Sequence, residues 1–334
     1  MAPDARPAVA AGVLVAAFAA FLAASANAFP DLFIYRFGAR LGLLAQNPYD
    51  QRDLKNAVAQ QFPKDDPEQR GLEDNCGYFL PPGAIIVYAP FVPMPWRDAM
   101  FLWAAVNGVA AFAVARFIAF DRPADQPTGP PLIRTIVPFL LVLNLLALGA
   151  VMVGQTSLVA AGCVAAGAFA FSRGWNIAGA MLWAVPFVKP HVALPLLAVA
   201  WYLGGWKRAA AIGVIVFAAN ALAATAIGGT PLFLLDYVKL AGAGHRAVDF
   251  NQAALAYEMT SWNRLLVVLS GERIIIEQTA ATMLLSYAVG FALVVGRCVL
   301  ARTKPSAAWA FAAAAALGTV CPQVLAYESV ALAL

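Results

Sequence analysis

An all-α, polytopic membrane protein with about ten transmembrane helices follows from three observations. Hydrophobic residues make up 62% of the 334-residue chain and charged residues only 12%, where a soluble domain carries about 25% charged residues. Mean hydropathy is +0.74. Apolar runs of spanning or near-spanning length recur from one end of the chain to the other. The chain reads as one domain, 1–334, with no internal repeat.

The first run, 8–29, is long enough to cross at about 1.5 Å per residue. Ala24-Ser25-Ala26-Asn27-Ala28 also fits a signal-peptidase site. An uncleaved first span is preferred, because many further spans follow. The one long polar stretch comes next. Residues 30–96 form an outer loop, and within it 31–44 has the pattern of an amphipathic surface helix. Further spans are expected at 97–120, 133–153, 156–172, 176–189, 191–205, 208–228, 274–298, 307–320 and 322–334. Pro186, Pro190 and Pro195 predict kinked or broken helices between 176 and 205. A second outer loop covers 229–272. The chain stops at Leu334 inside an apolar run, which reads as a truncated C-terminus.

Basic residues set the orientation. Arg116, Arg122 and Arg134 flank one loop, Arg173 marks a turn, Lys207-Arg208 another, and Arg297, Arg302 and Lys304 a third. Placing these loops in the cytoplasm satisfies the positive-inside rule. The N-terminus is then cytoplasmic and 30–96 lies outside. Residues 81–95 are apolar but short and carry five prolines. They read as a helix lying at the outer interface; a true short span is the alternative, and it would turn every later basic loop outward.

The net charge of +4 resides in short loops, so it reports topology and gives no reason to expect a nucleic-acid partner. The four cysteines, Cys76, Cys163, Cys298 and Cys321, lack metal-ligand spacing. Cys163 and Cys298 read as packing residues; Cys76 and Cys321 share the outer face, where a disulfide is one option. Walker A, dinucleotide and nucleophile-elbow motifs are absent. No metal site and no cofactor are expected; dependence on a divalent metal stays open.

The candidate residues converge on the outer face. Asp31 follows the first apolar run, where a carboxylate serves either as a helix-end group or as a general base for an acceptor hydroxyl. Tyr35 and Arg36 follow; on a helix, Asp31 and Tyr35 share a face. Lys189 lies in apolar sequence beside His191, where a buried cation suits an anion such as phosphate, or else snorkels or pairs. Gln155 offers an amide at an outer turn. Asn251, Gln252 and Glu258 in the second loop suit a sugar, or simply a solvated loop. Glu328, after Tyr327, is an acidic residue in an apolar stretch.

The order Asp31, Tyr35, Asn47-Pro48-Tyr49-Asp50, Tyr78 to Pro81-Pro82, Gly154-Gln155, Lys189 and Tyr327-Glu328 resembles glycosyltransferase family 87. These are bacterial mannosyltransferase-like membrane proteins of the GT-C type. The resemblance spans about 29–334 and rests on the joint order of short motifs. It implies a GT-C helical bundle in the cell inner membrane, with interfacial helices in the first outer loop and the active site on the periplasmic face. It implies a polyprenyl-phosphate-linked hexose donor, with mannose the expected sugar, and a glycan or glycolipid acceptor, both met among membrane lipid. Asp31 would be the general base of an inverting transfer. Lys189, with Arg36, Arg52 and His191, would hold the donor phosphate. Tyr35, Tyr49, Gln155, Asn251, Gln252, Glu258 and Glu328 would bind sugar or acceptor. The family commonly has Asp where Glu328 stands. A lipid-linked sugar flippase or a small-solute transporter is the rival reading. Polar groups gathered on one face, with no duplicated half, favour the enzyme.

Overall fold

The computed structural model describes residues 6–24, 29–59, 78, 80–120, 145–246, 259–260, 269–270, 280–301, 310, 313, 317 and 324–325. They are helical almost throughout. In chain order the helices are α1 (Arg6–Ala23), α2 (Pro30–Leu43), α3 (Gln51–Ala59), α4 (Ala84–Tyr88), α5 (Trp96–Phe120), α6 (Leu145–Val153), α7 (Ser157–Ser172), α8 (Asn176–Ala184), α9 (Pro190–Gly228), α10 (Phe233–Arg246) and α11 (Ala280–Ala301). Tight 3-10 turns, Ala89–Phe91 and Val185–Val188, extend α4 and α8. Segments Arg6–Ala23, Trp96–Phe117 and Ala193–Gly228 are long and apolar enough to cross a membrane, and Ser157–Ser172 and Asn176–Val188 are shorter apolar helices. The chain is an all-α membrane protein.

Small residues let α1 and α5 approach closely. A Cβ on Gly12 would fall 2.8 Å from the Gly108 carbonyl oxygen, and one on Gly108 would fall 2.6 Å from Ala16 Cβ. Residue 12 thus lies between 108 and 112, and residue 108 between 12 and 16, so the two helices run antiparallel. A chain that crosses in both returns to the side it left. The helix within 81–95, with its following turn, covers only 84–91. That is about 12 Å, against a hydrocarbon core of about 30 Å. Gly108→Ala is expected to push α1 and α5 apart at a cost of roughly 1–3 kcal/mol, read as a lower Tm in detergent.

The later helices fold back on one another. Gly167 meets Trp183, and Gly179 meets Phe171, so α7 and α8 form an antiparallel hairpin about the left-handed Gly174 (φ 79°). Trp183 donates its indole N–H to the Val164 carbonyl at 2.9 Å. Helix α9 is broken at Gly205 (φ 72°, ψ 176°). Its first half starts at Lys189; in its second half Asn220 Oδ1 accepts from the Gly83 N–H at 3.0 Å. A straight helix from 189 to 220 would measure about 46 Å. Yet Gly83 lies just before α4, whose Tyr88 ring is 5.1 Å from Tyr35, close to the neighbourhood of Lys189. The two halves therefore double back, in agreement with separate runs at 191–205 and 208–228.

This folding brings four arginines to one end. The Arg208 guanidinium lies 4.1 Å from the Phe171 ring centroid, which brings the turns bearing Arg173 and Arg208 together. Arg116 lies twenty residues along α5 from Trp96, about 30 Å away, and the antiparallel pairing carries Arg6 to the same end. Asp31, Gln155 and Lys189 are at the other end.

Two expectations are corrected. Helix α2 is no surface helix. Leu32, Phe33, Ile34, Tyr35, Phe37, Ala39 and Leu41 are all buried, because α4, the Tyr78 ring and the second half of α9 close over it. The helix expected from 322 does not begin there: Val324–Leu325 are extended and pair antiparallel with Met259–Thr260. The pairing satisfies backbone groups between two distant segments and brings the stretch after Glu258 beside the stretch before Glu328.

Candidate functional site

Three local features build the site. Pro30 opens α2 at a position where its missing N–H costs nothing, which places Asp31 in the first turn. Phe29, just before it, is left-handed (φ 63°), and its N–H donates to the Met152 carbonyl at 3.2 Å, tying the start of α2 to the end of α6. Gly154 then turns the chain at φ 79°, and a Cβ there would fall 2.9 Å from the Leu32 nitrogen. Only glycine satisfies both the turn and the close approach. This contact delivers Gln155 to Asp31. Lys189 caps the third corner. Pro190 disfavours a helical residue before it, and Lys189 is extended (φ −125°, ψ 81°) between the 185–188 turn and α9.

Gln155 joins these corners. Its Nε2 donates to Asp31 Oδ2, and its Oε1 accepts from Lys189 Nζ. The same Oε1 faces the Tyr35 hydroxyl at 3.5 Å. Gln155 is 4% exposed and Lys189 7%. An anion and a cation are thus held by opposite ends of one buried amide, in surroundings where charge–dipole contacts are poorly screened. Asp31 and Tyr35, expected to share a helix face, both point at Gln155.

Two hydroxyls that the sequence reading did not single out border this cluster. Tyr88 is fully buried, its ring 5.1 Å from that of Tyr35. Its hydroxyl lies beside that of Thr156, and neither has a hydrogen-bond partner of good geometry. Burial first, then Tyr78, hold the Tyr88 phenol well above its ordinary pKa; the Thr156 side chain opposes this, and the Asp31 carboxylate adds the least. Tyr88 was obscured by its apolar neighbours in 83–92. Thr156 was legible only as part of a polar Gly-Gln-Thr turn.

The other expected residues fall elsewhere. Arg36 is half-buried; its Nε donates to Phe91 O at 2.9 Å, and Nη2 to Val92 O at 3.3 Å and to Met94 O. The guanidinium also sits 5.9 Å from the Trp96 ring centroid. It holds the 91–96 corner against α2. Arg36→Ala leaves those carbonyls unanswered and is expected to cost roughly 2–3 kcal/mol, measured as a lower Tm. Tyr49 donates to Leu80 O at 2.8 Å, and its ring lies 5.5 Å from Tyr78 and 5.1 Å from Tyr237. Burial raises the Tyr49 and Tyr78 phenols and pushes Tyr237 up to about 12, so the group stays neutral and serves as a joint between the first loop and α10. It lies against Gly38, about 10 Å along α2 from Asp31. Arg52 is exposed in the first turn of α3, where its N–H, at 2.8 Å, is capped by Asp50 Oδ1. The His191 backbone opens α9; its side chain is outside the described residues, as are Asn251, Gln252, Glu258, Glu328, Cys76 and Cys321. Among the described residues no three His, Cys, Asp or Glu gather as metal ligands.

A sequence model of glycosyltransferase family 87 matches residues 78–325, about three quarters of the chain. No curated protein and no solved structure matches. Gln155 and Lys189 lie inside the matched segment, whereas Asp31 precedes it. The Gln155–Asp31 hydrogen bond is what joins the carboxylate to the matched part.

Proposed function

The chain belongs to glycosyltransferase family 87, and from that premise we propose that it transfers a hexose, mannose being the expected sugar, from a polyprenyl-phosphate donor to a glycan or glycolipid acceptor. The observation that carries the reading is the buried Asp31–Gln155–Lys189 alignment, a base and a cation held at a fixed separation by one amide. The whole chain acts as one catalytic unit, with 30–96 and 229–272 as its outer loops. It sits in the inner membrane with a cytoplasmic N-terminus and a periplasmic site, a reading supported by the clustering of Arg6, Arg116, Arg173 and Arg208 at the opposite end.

The chemistry is a single inverting displacement. Asp31 accepts the proton of the acceptor hydroxyl as that oxygen attacks the anomeric carbon. The bond from that carbon to the phosphate oxygen breaks, and the lipid phosphate leaves with the electron pair. The leaving group gains one negative charge, and Lys189 answers it. Gln155 orients both groups, while Tyr35 steadies the amide. Arg36 and Tyr49, engaged by backbone carbonyls, act as positioning residues away from the donor. Membranes containing the chain, offered a panel of radiolabelled polyprenyl-phosphate sugars, should pass label to an endogenous acceptor from at least one donor. Label that moves across the bilayer without being transferred would instead establish a flippase.

A further inference from the structure

We infer that Tyr88, Thr156 and the amino-terminal turn of α7 form the phosphate cradle of the donor site together with Lys189. The inference rests on the proposed donor class and names the groups that hold it. Four observations lead there. The first N–H groups of a helix have no intrahelical partner and carry the positive end of its dipole. Helix α7 begins immediately after Gln155, and Thr156 at its N-cap makes no side-chain cap bond. The hydroxyls of Thr156, on a residue 2% exposed, and of the fully buried Tyr88 face each other, and neither has a hydrogen-bond partner of good geometry. Finally, Lys189 reaches the other end of the Gln155 side chain.

The chemistry of these groups selects the occupant. A buried hydroxyl left unpaired is costly, so two side by side mark a place where something else completes the bonding. Lys189 and the helix N–H groups are donors only, and Tyr88, with its ionisation opposed, keeps its proton and donates. Thr156 completes a corner rich in donors. Such a corner suits an anion with several acceptor oxygens, as phosphate is at helix N-termini. Asp31, proposed to take the proton of an incoming hydroxyl, is held by the nitrogen of the Gln155 amide, whereas Lys189 is held by its oxygen.

The test uses the full chain in detergent, with farnesyl phosphate and inorganic phosphate as probes and thermal stability as the readout. The variants are Tyr88→Phe and Thr156→Val, which remove only the hydroxyls or replace them at equal volume. Because neither hydroxyl makes a well-formed hydrogen bond without ligand, the Tm of both variants should equal or exceed that of the wild type. The stabilisation by farnesyl phosphate should fall, with the apparent Kd rising about 10-fold for each variant. KM for the sugar donor should rise in parallel and KM for the acceptor should not. A probe response equal to wild type in both variants, but lost in Lys189→Met, overturns the cradle and leaves the donor class standing. A wild type stabilised by neither probe overturns the donor class itself. A response to inorganic phosphate as strong as to farnesyl phosphate assigns the cradle to free phosphate and overturns it as a lipid-donor site. Loss of Tm in both variants without ligand identifies the hydroxyls as structural and also overturns it.

Discussion

Asp31→Asn should lower sugar transfer by about 10²–10⁴-fold, the range for loss of a general base, while the protein keeps its Tm. The substitution is nearly isosteric, and the Gln155 Nε2 donor still finds the side-chain carbonyl oxygen of the new amide. What is lost is proton affinity. The amide cannot take the acceptor hydroxyl proton, so the attack proceeds only as fast as an unassisted hydroxyl allows. As the proposed base, Asp31 would act only once both substrates are bound, so the loss should appear in kcat, with KM for the donor nearly unchanged. Single-turnover transfer with a saturating labelled donor reads this directly. An Asp31→Asn variant that transfers at the wild-type rate would remove Asp31 as the base. A variant that binds donor weakly would move Asp31 from proton transfer to ground-state binding.

Lys189→Met should lower transfer by about 10²–10³-fold, the scale for removing one electrostatic stabiliser of a developing anion. Methionine fills much of the lysine stem's volume without the charge. Lys189 is 7% exposed and its ammonium donates to Gln155, so its burial carries a desolvation penalty that an apolar replacement avoids. The lost donor leaves the buried Gln155 Oε1 with the Tyr35 hydroxyl at 3.5 Å, a cost that offsets the desolvation gain, so the Tm of the variant should change little even as activity collapses. A lysine kept for structure would give the opposite pair of results, a lowered Tm with transfer intact. The measurement is Tm together with kcat and donor KM on the same preparation. Asp31→Asn and Lys189→Met differ in a further way: only the lysine variant should lose the response to polyprenyl phosphate, since the proposed role of the carboxylate is toward the acceptor.

Much of the scaffold could be read from the chain itself. Apolar runs report helices because burying a backbone in lipid leaves intrahelical hydrogen bonding as its main solution. The runs at 97–120, 156–172 and 176–189 accordingly appear as α5, α7 and α8 with its turn, within a few residues. The break between 205 and 208 was marked by the basic pair Lys207-Arg208. Asp31, Gln155 and Lys189 stood out as polar exceptions in greasy sequence, and the i, i+4 spacing of Asp31 and Tyr35 predicted their common face.

The sequence by itself determined that this is a helical membrane protein, which apolar runs form several of its helices, and which few polar residues were candidates for chemistry; α3 and α10 lie in segments that read as loops. Tertiary structure decided what those residues do for one another. Gln155 meets Asp31 across 124 positions and Lys189 across 34, and no periodicity encodes such a meeting. Arg36 looked like a phosphate ligand until three backbone carbonyls claimed its guanidinium. Helix α2 looked half-exposed until other segments closed over it, and Tyr88 looked like one apolar residue among many until its hydroxyl was found unpaired near Asp31. The physical reason is common to all four. Hydrophobicity acts on each segment alone and is visible residue by residue, whereas a buried polar atom must find its partner wherever the fold brings one.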